Sequence, residues 1–187
     1  MFRLWNANRL LPMYVTIFLL FLILSGCRTS PPVPEDPFLH TGIDAQNAVS
    51  SLDNGVCILP ERSGFQLYSA YIPGENGPIT LTYKDESTKS TITIVQYPGS
   101  DYLQITDDSQ NVVKKDELCL RGKCVNVLFS NEGDIQKASF SMKSKSGPIF
   151  VQIKRGGNIG MDYVKHIVEQ LVYNHSDTLC ATALSHP

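Results

Sequence analysis

The chain has 187 residues, of which 42% are hydrophobic and 18% charged, and a net charge of −2. That length suits one domain with a sizeable core rather than two. The 18 acids against 16 lysines and arginines argue against a nucleic-acid partner, which is held by clustered basic side chains that neutralise phosphates.

Residues 1–26 have the layout of a secretory signal peptide: Arg3 and Arg9 supply a positive start, and residues 14–24 form an apolar run of 11. A helix that spans a bilayer needs about 20 apolar residues, and Pro12 interrupts any extension of the run back to Leu10. Leu24-Ser25-Gly26-Cys27 closes the run and resembles the bacterial lipobox at all four positions. The resemblance implies cleavage before Cys27, lipid attachment at Cys27 and a membrane contact through that lipid. It also implies sorting to the outer membrane, facing the periplasm, because Arg28 rather than an aspartate follows the cysteine. Without the 26 leader residues and their two arginines, 161 residues remain, with 14 basic side chains against 18 acids and a net charge of −4.

Residues 27–40 carry Pro31, Pro32, Pro34 and Pro37, which fix φ and remove backbone donors, so a lipidated, semi-extended tether is expected there. A single domain should occupy residues 41–187. It opens with a short, weak helix over 41–52, whose apolar stripe is Ile43, Val49 and Leu52, and Asp53-Asn54-Gly55 ends it.

From Val56 the hydrophobic period changes to two. Residues 66–72, 79–84, 91–97, 125–130, 138–143 and 149–154 read as strands, separated by glycine, proline, asparagine and aspartate clusters. Residues 85–90 and 145–147 suit hairpin connections, and the polar stretch 102–117 reads as a loop. After Gly156-Gly157-Asn158-Ile159-Gly160 the period becomes helical, with Val164, Ile167, Val168, Leu171 and Val172 on one stripe, Asp162 in the first turn, and Asn174 and His175 at the end. The expected fold class is α+β: an antiparallel β-sheet of about five to seven strands packed by one long C-terminal helix and stapled by disulfides.

With Cys27 acylated, Cys57, Cys119, Cys124 and Cys180 remain, an even number in an oxidising compartment. Three pairings are open. Cys119 and Cys124 stand opposite each other if Arg121-Gly122 is a two-residue hairpin turn, which leaves Cys57 with Cys180 as a clamp on the two ends of the domain. A zinc site at Cys119 and Cys124 lacks partners, because His166 and His175 fall on different helix faces.

No metal or other cofactor is expected. Asp107, Ser109 and Asn111 match the start of a calcium loop, but Val112 stands where the turn glycine is needed and Leu118 where the bidentate glutamate is needed. The glycines at 156–160, flanked by Lys154 and Arg155, suit either an anion at the helix start or a plain bend from strand to helix. No Gly-x-Ser-x-Gly elbow or His-Glu-x-x-His pair occurs, and His40, His166, His175 and His186 read as exposed or satisfied side chains, so the chain is not expected to be an enzyme. Tyr68, Tyr71, Tyr83 and Tyr97, with Tyr102 behind them, crowd into and after the first strands and form the candidate protein-binding surface.

Asn54-Gly55-Val56-Cys57-Ile58, the strand at 67–72 and Leu118-Cys119-Leu120 resemble small enterobacterial lipoproteins proposed as immunity proteins for type VI secretion effectors. That resemblance implies a cysteine-stapled β domain that binds and neutralises a toxin delivered to the periplasm. The order of elements, a sheet closed by a C-terminal helix, is similar to that of DcrB-type lipoproteins of the PsbP-like fold. The role implied there is envelope assembly or uptake.

Overall fold

Alternation along the chain builds nearly all of the domain, because a period of two gives each strand one apolar and one polar face. The computed structural model describes residues 36–52, 55–74, 77–99, 112–120 and 123–180. The strands are β1 (Leu39–Thr41), β2 (Cys57–Ile58), β3 (Gln66–Tyr71), β4 (Ile79–Asp85), β5 (Ser90–Gln96), β6 (Val112–Leu120), β7 (Lys123–Glu132), β8 (Ile135–Ser144), β9 (Gly147–Gly156) and β10 (Val172–Tyr173). The helices are α1 (Gly42–Ser50) and α2 (Met161–Gln170), with a 3-10 turn at Glu61–Ser63. The leader, Cys27, the first part of the tether, the calcium-like triad Asp107, Ser109 and Asn111, and Tyr102, Arg121, Gly122 and His186 lie outside the described residues.

Eight strands form one antiparallel sheet in the order β1-β3-β4-β5-β9-β8-β7-β6, and β10 pairs with β2 in a separate two-stranded ladder. Two meanders, β3-β4-β5 and β6-β7-β8-β9, therefore meet at one seam, where β5 and β9 pair from Ser90↔Arg155 to Gln96↔Ile149. One face of the sheet is the core: Leu81, Tyr83, Ile92, Ile94, Val127, Phe129, Phe140, Ile149, Val151 and Ile153 are buried on it. Ala45 and Val49 of α1 and Val164, Ile167 and Val168 of α2 join the same cluster. Each fully buried aliphatic side chain contributes about 1.5–3 kcal/mol.

The expected fold class is corrected on three points. The fold is mostly β rather than α+β, the sheet has eight strands rather than five to seven, and among the described residues no long C-terminal helix closes it. α2 has 10 residues and stops at Gln170, where Leu171 turns to an extended ψ of 117°. Leu171 and Val172 are buried as the helical pattern requires, but they are buried in an extended segment that pairs with β2 (Val172↔Ile58, Tyr173↔Cys57). A short run of buried apolar residues satisfies a helical stripe and a two-sided strand equally well. The loop expected over 102–117 is a strand from Val112 onward, and β1 occupies residues assigned to the tether, pairing Leu39↔Tyr71. In α1 the buried positions are Ala45 and Val49, while Ile43 is 66% exposed.

Candidate functional site

The register places three continuous rows of side chains on the sheet face opposite the core. One runs Leu39, Tyr71, Thr80, Val95, Phe150, Ser141. The next runs Ser69, Thr82, Thr93, Gln152, Ser139, Leu128, Lys115. The third runs Gln66, Lys84, Thr91, Lys154, Lys137, Ser130. From β4 to β8 every one of these residues is half-buried, in contrast to the opposite face, where their strand neighbours other than Asp85, Gln136 and Arg155 are buried. This outer face is thus broad and continuous, with an apolar and aromatic row, a hydroxyl and amide row, and a lysine row side by side.

Alternation also brings Lys143, Glu117 and Glu132 to the outer face, so among the described residues it carries five lysines (84, 115, 137, 143, 154) against two carboxylates. A face of net charge about +3 stands on a chain of net charge −2. Glu132 accepts from Lys137 and lies 3.7 Å from Lys154. The hydrogen bond from Lys137, then the charges of both lysines, hold its carboxyl below the usual range.

Two of the four tyrosines expected at a binding surface are on this face. Tyr68 is left over by a β-bulge between Leu67 and Ser69, is 51% exposed, and has Lys84 Nζ 3.2 Å from its ring centre. Tyr71 meets the Phe38 ring edge-on at 6.3 Å. Tyr83 instead belongs to the core, where its hydroxyl accepts from Leu59 N–H at 3.3 Å and burial pushes its pKa up. Tyr97 lies half-buried past the end of β5, its N–H donating to the Pro148 carbonyl. Strand alternation could have separated these: Tyr83 shares its phase with the buried Ile79 and Leu81, and Tyr71 does not.

Both expected disulfides are present, Cys57–Cys180 and Cys119–Cys124. The Cys119 and Cys124 sulfurs and the Glu117 carboxylate lie within 4.8 Å of one another, but the bond between the cysteines takes up the thiolates that a metal would need. Of the histidines, His166 is exposed and bonds Gln170 at 2.5 Å, His175 is an exposed turn residue with φ 60°, and His40 pairs in β1 with Ala70. The glycine stretch is a bend: Gly157 has φ 91°, Ile159 N–H donates to the Gln136 side chain, and Arg155 lies 4.9 Å from the Tyr163 ring.

Among the described residues no helix is long and apolar enough to cross a membrane. None of the family models, curated proteins or solved structures compared with the chain matches it.

Proposed function

We propose that the chain is a lipid-anchored envelope protein, acylated at Cys27 and held at the outer membrane facing the periplasm, that neutralises a toxin or effector without catalysis. The outer face carries this reading. It is a continuous surface in which the row of Tyr71, Val95 and Phe150 and the row of lysines flank a row of hydroxyls and amides, a mixture of aromatic anchors and charge that suits a protein partner with an acidic patch. The two disulfides support export, since such bonds persist outside the reducing cytosol. The alternative, an envelope assembly or uptake accessory of the DcrB type, drew on a long closing helix, and α2 ends at Gln170.

The test is survival of a deletion strain challenged by its toxin-delivering kin. The strain should die, the wild-type gene should rescue it, and a gene carrying Lys84→Glu and Lys154→Glu should fail to rescue at equal protein level. Unchanged survival of the deletion strain would overturn the proposal. Cys27→Ala should abolish labelling of the protein by palmitate.

A further inference from the structure

We infer that the chain self-associates through β6, two copies pairing edge to edge and antiparallel, with Lys115 of each opposite Glu117 of the other. Among the described residues β6 is the last strand of the sheet and pairs with β7 alone. Leu120 pairs with Lys123 across two intervening residues, so that pair is hydrogen-bonded and the next, Cys119↔Cys124, is not. Their Cα atoms, 4.0 Å apart, have the close spacing of a non-hydrogen-bonded pair. By alternation the N–H and C=O groups of Cys119, Glu117 and Lys115 point away from β7 and form the open edge. The bridge at the hairpin tip fixes that edge as a template.

A two-fold axis perpendicular to the sheet keeps the core faces of both copies on the same side, so residues paired across it share a face. Lys115 and Glu117 are both exposed on the outer face, two residues apart. Centring the pair on Lys115 or on Glu117 sets like charges directly opposite, which is destabilising. Centring it on Asp116 also sets one like pair opposite, Asp116 with Asp116, but it alone gives two Lys115–Glu117 pairs in return. The Asp116 carboxylates then approach each other on the core side, each already held by its own Lys114 at 2.7 Å. The same register brings Val113, 64% exposed, alongside the disulfide of the second copy. A lysine on an edge strand ordinarily deters strand addition; in this one register it finds a glutamate. The result is a sixteen-stranded sheet with both outer faces on one side, whatever those faces bind.

Sedimentation equilibrium of the full-length protein in detergent tests this. The wild type should show a monomer–dimer equilibrium. Lys115→Glu and Glu117→Lys should each weaken it about tenfold, and the double charge swap should return it to near the wild-type value. Independently of any variant, amide exchange at Lys115, Glu117 and Cys119 should slow as protein concentration rises. A monomer at every concentration up to about 1 mM, or a double swap no better than the single ones, would overturn the inference.

Discussion

The side-chain amide of Gln96 closes both hydrogen bonds of the Cys57 peptide: Cys57 N–H donates to Oε1 at 2.6 Å, and Nε2 donates to the Cys57 carbonyl at 2.7 Å. Gln96 is buried at the end of β5, and it pairs with a backbone segment outside its own sheet as another strand would. Gln96→Ala leaves a buried donor and a buried acceptor without partners, at about 1–3 kcal/mol each. Urea unfolding should therefore show a loss on the order of 2–6 kcal/mol, and Gln96→Glu, which sets a buried carboxylate oxygen against the Cys57 carbonyl, should not recover it.

The two disulfides should differ in worth. Cys57–Cys180 closes a loop with a sequence separation of 123, and the chain-entropy picture assigns it about 5 kcal/mol, against about 2 kcal/mol for Cys119–Cys124 with a separation of 5. Replacing both cysteines of each pair by alanine and comparing urea midpoints should reproduce that order. A larger loss at the hairpin would show that its bridge holds more than the turn.

Asp85 organises the β4–β5 turn. Its Oδ1 accepts from the Ser87 N–H at 2.8 Å and the Ser87 hydroxyl at 2.6 Å, and its Oδ2 from the Thr88 hydroxyl at 2.7 Å. The Ser87 and Thr88 side chains hold its pKa down to about 2, below the ordinary value near 3.8. Because the folded value is the lower one, the stability it confers is present above about pH 4 and is lost as pH falls through about 2. The stability gap between wild type and Asp85→Asn, measured by thermal melting, should close across that window.

Asn174 joins the two ends of the domain, its Nδ2 donating to the Val49 carbonyl at 2.9 Å and the Leu52 carbonyl at 3.1 Å, and its N–H to Val56 at 2.7 Å. Asn174→Ala should destabilise the fold by about 1–3 kcal/mol. Faster amide exchange concentrated in α1 is the expected signature.

Where a segment buried one face, its structure was legible in the sequence. β4, β5, β8 and β9 alternate because one side meets the core, and the even cysteine count with the 119/124 spacing pointed to both bridges. β6 was not legible for the converse reason: only Leu118 of its nine residues is buried, so no alternation marks it. The end of α2 was hidden because pairing with β2, more than a hundred residues earlier, governs Val172 and Tyr173, while the Cys180 N–H donates to the Leu171 carbonyl. The outer face depended on register, since the row from Leu39 to Ser141 exists only once β5 is set beside β9.

The β5–β9 seam divides the sheet into halves that are each built from neighbouring strands. Local contacts can raise each half early, whereas the seam joins positions more than fifty residues apart and must close late. Until then Ile92, Ile94, Val151 and Ile153 stand on bare edges, where unfolded neighbours aggregate. Cys57 precedes the β3-β4-β5 meander and Cys180 follows β9. Their bond makes the chain a closed circuit across the seam, so the halves stay within reach of each other even while parted.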